Sequence, residues 1–427
     1  MNNATFFFKE PKNEPVLSYA QGSKERELLK QELEKQYNQC IEIPIIINGQ
    51  EIRTGNVSEV VMPSEHSHVL AKFHKADKET VQKAIDSALE ARKKWENVHW
   101  IERCSIMLKA AELLAGKYRY LINASTMLGQ GKNPFQAEID SACETIDFLR
   151  FNVHYASKIY AQQPLSDNSA INRLEYRGLE GFVYTISPFN FTSIACNLNI
   201  SPILMGNVTV WKPATTAVLS NYYLMKILQE AGVPDGVINF VPGDGGVISD
   251  VCFSSKDLAG IHFTGSTRTF NNFWKLIGEN INNYRTYPKI VGETGGKDFI
   301  FAHKSANPQE LAVAIVRGAF EYQGQKCSAA SRAYVPKEIW EETFSYIKEM
   351  TKKIKVSSSM EMGSFMNSVI DEKSFDNIAQ YVERAKSCSD AQVVLGGECD
   401  KSVGYLYDYD YTKKTGTLKY FNGKKKH

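Results

Sequence analysis

No apolar run in this 427-residue chain approaches the roughly 18 residues that a membrane-spanning helix needs, so no membrane span is expected. Net charge is nearly absent as well: 50 Lys and Arg stand against 48 Asp and Glu, leaving +2. A chain so balanced has no field to gather nucleic acid or an acidic membrane surface. Disulfide and metal frameworks are missing too. The eight cysteines, at positions 40, 104, 143, 196, 252, 327, 388 and 399, include no C-x-x-C pair and no metal-ligand spacing. They read as reduced thiols of an intracellular compartment, with no metal site. There is no internal repeat, and the G-x-G-x-x-G fingerprint of a dinucleotide site is absent. The opening residues, MNNATFFFKEPKNE, match neither an Arg-rich amphipathic presequence nor a secretory signal, and their Phe run reads as packing.

What is present is an ordinary globular composition, long enough for about three domains with large cores. Residues 1–40 read as an irregular arm with a charged helix at 23–37. A hairpin over 43–54 turns on Asn48-Gly49, and Pro44 marks its first strand as an edge strand. Helices are predicted from Asp77 as N-cap, over 101–115 with Gly116 as the stop, and from Pro134 towards Tyr160. Glu138 falls in the first turn of the last, where a carboxylate suits the helix dipole. Residues 162–179 are polar and turn-rich, an excursion from the main body.

From residue 181 the pattern becomes regular. Strands at 181–186, 208–211, 237–241 and 260–263 each precede a helix. This alternation predicts an α/β fold with a doubly wound parallel sheet, whose ligands bind beyond the carboxyl ends of the strands. A second α/β unit follows, with strands at 299–302, 332–335 and 393–395 and helices at 308–322, 336–353 and 371–386. Beyond Gly404 the chain turns to alternating Tyr and then Lys, read as disorder or a frayed strand.

The chemistry gathers in 291–328. Glu293 stands in Val-Gly-Glu-Thr-Gly-Gly-Lys, and Cys327 lies 34 residues on, in Gly-Gln-Lys-Cys-Ser. Together they offer a thiol nucleophile, a candidate base, and glycines that let the backbone approach a ligand. Alone, the cysteine would be a small core residue and the glutamate a solvated turn residue. Three further pieces follow strands. In Ser187-Pro-Phe-Asn190, the Asn190 amide can donate to a developing oxyanion without quenching a thiolate, or simply cap the next helix. Lys212, in Trp-Lys-Pro-Ala, can reach a ribose hydroxyl or remain a solvated lysine. Phe263-Thr-Gly265-Ser266-Thr puts a glycine and a hydroxyl at a helix start, where free N–H groups favour phosphate.

These pieces, in this order and spacing, resemble the aldehyde dehydrogenase superfamily, which uses a phosphate turn of the FTGS type in place of G-x-G-x-x-G. Other family-like stretches are 13–17, 129–132, 136–140, 176–181 and 320–327, so the resemblance runs from about residue 13 to Gly404. It implies a Rossmann-like NAD-binding domain at 41–161 and 180–290, an oligomerisation hairpin at 162–179, and a catalytic domain at 291–404. The N-terminal arm is 1–40 and the divergent tail 405–427. The implied reaction is oxidation of an aldehyde with NAD. For the most similar members the substrate is L-glutamate γ-semialdehyde, the product glutamate, and the setting proline degradation in the mitochondrial matrix. Cys327 is then the nucleophile, Glu293 the base for hydrolysis, and Asn190 the oxyanion donor. Ser187, Lys212, Gly265 and Ser266 would hold NAD, and Glu138, Phe191 and Ser328 the substrate. Thr215 stands where many relatives carry a glutamate, which leaves NAD against NADP open at this stage. A homo-oligomer is expected.

After Gly404 the family continues with a Glu-x-Phe-Gly-Pro segment, a substrate-anchoring loop and a returning oligomerisation strand, which this sequence lacks. The catalytic domain is therefore expected to be incomplete, with little activity. A non-catalytic chain of the same descent, and a dehydrogenase for another aldehyde, are the alternatives. A Cys–His hydrolase using His262 or His303 would leave Asn190 and the Gly265-Ser266 turn without a role.

Overall fold

The computed structural model describes residues 8–407, 411–414 and 417–420. In chain order its helices are α1 (Lys24–Tyr37), α2 (Lys78–Trp95), α3 (Trp100–Ala115), α4 (Arg119–Gln130), α5 (Pro134–Ala137), α6 (Glu144–Ala161), α7 (Thr192–Leu204), α8 (Val218–Ala231), α9 (Gly245–Ser254), α10 (Thr267–Glu279), α11 (Pro308–Phe320), α12 (Lys337–Thr351) and α13 (Glu372–Ser387). A π-helical segment, Glu138–Cys143, joins α5 to α6. The strands are β1 (Ile41–Ile43), β2 (Ile45–Ile47), β3 (Gln50–Ile52), β4 (Val57–Met62), β5 (Glu65–His74), β6 (Phe182–Ile186), β7 (Thr209–Lys212), β8 (Ile238–Phe240), β9 (Leu258–Gly265), β10 (Lys289–Thr294), β11 (Asp298–Phe301), β12 (Ala330–Tyr334), β13 (Ala391–Leu395), β14 (Cys399–Asp400), β15 (Leu406–Tyr407), β16 (Tyr411–Lys414) and β17 (Thr417–Tyr420).

A seven-stranded sheet runs in the order β10-β9-β6-β7-β8-β2-β3. β10, β9, β6, β7 and β8 are parallel, and β2 runs antiparallel to both β8 and β3. Every residue of β6 and β8 is buried, as expected for parallel strands covered on both faces. The chain leaves β6 for β7 and β8 on one side, then returns with β9 on the other. That reversal opens a crevice at the carboxyl ends of β6 and β9, where open α/β sheets bind ligands. Three of the helices around the sheet, α2, α9 and α10, begin at short polar caps: Asp77 accepts from the Thr80 amide, Asp244 from those of Gly246 and Val247, and Ser266 from Thr269.

The sheet and its helices share one core, from Leu29 through Phe240 to Tyr284, distinct from a smaller one around Ile315, Phe320, Trp340 and Ile347. The smaller core lies under a five-stranded sheet ordered β11-β12-β17-β16-β13.

The structure corrects four expectations. Pro44 does not make its strand an edge. It falls between β1 and β2, where no ladder bond is asked of it, and β2 pairs on both sides. The boundary between sheets is not at 290/291, because Val291–Thr294 belongs to β10 in the seven-stranded sheet and the chain changes sheet only at 295–297. α4, β4 and β5 form where no element was expected, and β5 pairs with both β1 and β4. In the tail, read as disorder or a frayed strand, β16 and β17 pair with each other and with β13 and β12, so for these eight residues the structure corrects the first reading and favours the second. The rest of 408–427 lies outside the described residues.

The excursion at 162–179 carries no strand ladder. Its two arms face each other through side chains: Gln163 bonds both Leu174 groups of the backbone, and Ser166 bonds Asn172. Phe8 fits the packing expectation, edge-on to Trp100 at 5.9 Å.

Candidate active site

Cys327 sits on the loop between α11 and β12, half-buried, with Ser328 beside it exposed. The loop begins in an unusual way. Tyr322, Gln323 and Gly324 take φ of 53°, 55° and 68°, three successive left-handed residues, two of them not glycine. Such a conformation costs about 1–3 kcal/mol per non-glycine residue and persists only where surroundings impose it. Here they do. The buried Tyr322 hydroxyl donates to the Gln130 carbonyl at 2.9 Å, and Gln323 Nε2 donates to the carbonyls of Gly131 (3.1 Å) and Ser368 (2.8 Å). Gln323 Oε1 accepts from the Asn367 amide at 3.0 Å. A reversed chain held by four hydrogen bonds thus leads into Cys327.

Asn190 and Glu293 arrive from the seven-stranded sheet. Asn190 follows β6, and its Nδ2 donates to the Gln325 carbonyl at 2.9 Å. It does not cap α7: Phe191 is the N-cap residue, and no side chain closes that helix end. Glu293 lies within β10 beside Thr264 of β9, exposed on the sheet's edge strand rather than on a turn. The Gly295-Gly296 turn then passes the nucleophile loop, so closely that a Cβ on Gly296 would lie 3.3 Å from the Cys327 carbonyl oxygen. The three catalytic candidates therefore come from two sheets, and both Asn190 and the turn that follows Glu293 reach the Cys327 loop.

Strand ends also carry the nucleotide candidates. Ser187 ends β6, but its hydroxyl is engaged by Trp211 Nε1 at 3.0 Å. Lys212 ends β7, half-buried; burial pulls its ammonium down to about 8, against the opposing pull of Asp244. Its Cε lies 3.9 Å from where a Cβ on Gly245 would sit, at the start of α9. Gly265 ends β9 where a Cβ would lie 2.5 Å from the end of the Phe263 ring, which would have to shift to admit a side chain. Ser266 spends its hydroxyl on the Thr269 amide, which leaves the first amides of α10 to a ligand. A half-buried lysine and two helix N-termini around β6 and β9 fit the adenosine and pyrophosphate of NAD. A cavity of about 500 Å³ lined by Lys78, Asp250, Phe253 and Asn280 lies at the opposite ends of α9 and α10, away from all these residues.

Of the substrate candidates, Phe191 is half-buried beside Asn190, and Ser328 lies beside Cys327. Glu138 is different. It has no exposed surface, and both its oxygens are taken. Arg119 pairs with it, Tyr19 Oη donates at 2.6 Å, the Leu17 amide at 2.9 Å and Asn123 Nδ2 at 2.8 Å. Burial pushes this carboxyl up, but the Arg119, Tyr19 and Leu17 bonds outweigh it and hold it below the usual range. Glu138 is a tether for the N-terminal arm, not a substrate contact. Glu14 extends the tether, pairing with Arg119 and Arg150, each at 2.5 Å.

Sequence reading passed over Lys132, Asp140 and Glu144. Lys132 Nζ lies 2.5 Å from Asp140 Oδ2, with Lys326 Nζ 3.5 Å from the same oxygen. Glu144, one helical turn beyond Asp140, is bonded by the Ser193 hydroxyl, and burial raises its carboxyl above the usual range. Lys132 and Asp140 had as sequence signal only their membership in the family-like stretches 129–132 and 136–140, and Glu144 had none. No cluster of metal ligands occurs among the described residues.

The alternative hydrolase partners are engaged elsewhere. His262 Nδ1 is bonded to the Leu198 carbonyl, and His303 Nδ1 to Ser305.

Comparison with known proteins agrees with this geometry. The aldehyde dehydrogenase family model matches residues 51–408. The chain is 49% identical over 401 residues to the mitochondrial delta-1-pyrroline-5-carboxylate dehydrogenase of Dictyostelium discoideum, covering 93% of this chain and 72% of that protein. To the human mitochondrial protein of the same name it is 47% identical over 397 residues, covering 93% and 70%. The crystal structure of delta-pyrroline-5-carboxylate dehydrogenase from Mycobacterium tuberculosis bound with NAD superposes with a TM-score of 0.95 at 43% identity, over 97% of this chain and 77% of that one. A match of this extent means that the chain belongs to the aldehyde dehydrogenase family.

Proposed function

We infer that this chain is an NAD-dependent aldehyde dehydrogenase that oxidises L-glutamate γ-semialdehyde, the open form of Δ1-pyrroline-5-carboxylate, to L-glutamate in proline degradation. Relatives at 45–50% identity carry that name, and the NAD-bound neighbour superposes over nearly the whole chain. The single observation in the site that carries the reading is Asn190 joined to the loop of Cys327.

In this reading the Cys327 thiolate adds to the aldehyde carbon. The Asn190 amide and the Cys327 backbone N–H then stabilise the oxyanion. NAD, when bound, supplies the hydride acceptor that takes the aldehyde hydrogen. Lys212 would hold its adenosine ribose, and the α10 amides beside Gly265 and Ser266 its pyrophosphate; Ser187 contributes through its place on the β6 loop, its hydroxyl being spent on Trp211. The thioester left on Cys327 is cleaved by water that Glu293 deprotonates, releasing the acid and the thiolate. Phe191 lines the substrate's methylenes, and Ser328 donates to its α-carboxylate.

The seven-stranded sheet with its helices, 41–161 and 180–294, serves as the nucleotide domain, and the five-stranded sheet as the catalytic domain. The arms of 162–179, with Leu165 92% and Ile171 79% exposed, serve a homo-oligomer. The mitochondrial matrix is the compartment by analogy with the relatives named mitochondrial.

The test is NADH formation from glutamate semialdehyde by the purified chain beside Cys327→Ala. Wild-type turnover that Cys327→Ala abolishes supports the reading. Turnover retained in Cys327→Ala, or acid formed without NADH, overturns it.

A further inference from the structure

We propose that the buried Lys132–Asp140 ion pair is a positioning element of this site, clamping the Asn190 loop against the Cys327 loop and holding the Lys326 ammonium beside the nucleophile. The proposal rests on the reading of Cys327 as nucleophile.

Lys132 has no exposed surface. Its ammonium sits between two rings, 4.0 Å from the centroid of Tyr322 and 4.4 Å from that of Phe191. Cation–π attraction grows when the charge is desolvated, so the ammonium draws both rings onto itself. Each ring belongs to a catalytic loop. Phe191 follows Asn190, and Tyr322 opens the left-handed turn that leads to Cys327. The same segment grips that turn by its backbone, through the Gln130 and Gly131 carbonyls that accept from Tyr322 and Gln323. Lys132 thus fixes the distance between the oxyanion donor and the nucleophile, which rate depends on steeply.

Asp140 gives the clamp its charge logic. It projects from the π-helical segment, an irregularity that recurs at functional sites. One of its oxygens serves Lys132 at 2.5 Å and Lys326 at 3.5 Å. Burial pulls the Lys132 ammonium down to about 8 against the pull of Asp140, so below that pH two ammonium groups share one carboxylate and leave one net positive charge, next in sequence to Cys327. The other ionisable groups facing the cluster are Glu144 and Tyr322, and burial favours the neutral form of both. Burying such charges is unfavourable compared with apolar packing, so stability alone gives no reason for Lys132 here.

The experiment measures iodoacetamide alkylation of Cys327 against pH, read by peptide mass spectrometry in the 427-residue chain, together with kcat. Asp140→Asn removes the shared negative charge and should move the alkylation midpoint about half a pH unit or more to lower pH. Lys326→Met, at a site where the side chain is 18% exposed, should move it as far to higher pH. The double variant Lys132→Met/Asp140→Asn removes one charge of each sign and leaves the Lys326 ammonium, its side chain 18% exposed, as the charge beside Cys327. Its midpoint should return to that of wild type while kcat stays at least about ten-fold low, because the clamp is gone. A merely structural role would not give opposite shifts. Coincident profiles, shifts of one sign, or wild-type kcat in the double variant overturn the proposal while Cys327 remains the alkylated nucleophile. If Cys327 is not alkylated and Cys327→Ala is active, the catalytic reading itself has failed.

Discussion

Asn190 Nδ2 donates its 2.9 Å hydrogen bond to the Gln325 carbonyl, two residues before Cys327. The amide that would meet the oxyanion is thus already aligned on the nucleophile loop. Removing one such donor costs about 10²–10³ in kcat. Asn190→Ala should show that loss with KM within a few-fold. A loss confined to KM would make Asn190 a substrate contact instead.

Glu293 stands exposed on β10, where water reaches it freely. As the base of the hydrolytic step, it should matter after hydride transfer. Stopped-flow measurement on Glu293→Gln should show a burst of NADH of up to one equivalent, followed by turnover slowed about 10²-fold or more. Loss of the burst would assign Glu293 to an earlier step.

Glu138 holds the arm through Arg119, Tyr19 and Leu17. Breaking a buried pair by removing one partner costs about 3–5 kcal/mol. Urea unfolding of Glu138→Gln should show a loss of that order, with KM of the folded fraction near wild type. Because its folded pKa lies below the ordinary value, the stabilisation is present above about pH 4.5 and is lost as pH falls through that depressed value. A raised KM with unchanged stability would restore the substrate role.

Lys212 titrates near 8 by burial. Its charged form is disfavoured in the folded protein, so its cost to folding is present below about pH 8 and relieved as pH rises towards 10.5. Nucleotide binding has the opposite trend, since the ammonium is the better donor. Calorimetry with NAD should show affinity falling as pH rises through about 8, and a flat, weaker profile in Lys212→Met. A flat wild-type profile would remove Lys212 from the site.

Burial pushes the thiols of Cys104, Cys143 and Cys196 up to about 12, and that of Cys252 higher still. These four should resist iodoacetamide in the folded chain. Cys327 should react before the exposed Cys40, Cys388 and Cys399. Early labelling of Cys196 or Cys252 would contradict the fold around them.

Local pattern carried a large part of this protein. Apolar runs ending in Ser187, Lys212 and Gly265 marked β6, β7 and β9, and Asp77 and Ser266 marked helix starts, because capping and strand burial act within a few residues. The order of the motifs carried the family. Tertiary structure alone decided the rest. Glu138 looks like a dipole partner until the arm, some 120 residues earlier in the chain, places Tyr19 and Leu17 on its oxygens. Tyr322 and Gln323 have no local reason to be left-handed; Gln130, Gly131 and Asn367 impose it from distant segments. Lys132 and Asp140 are eight residues apart, yet the rings and the second lysine that give the pair its meaning come from the loop after β6 and from the loop after α11. Burial, and not spacing, sets the charge and reach of such groups, and burial is a property of the assembled fold.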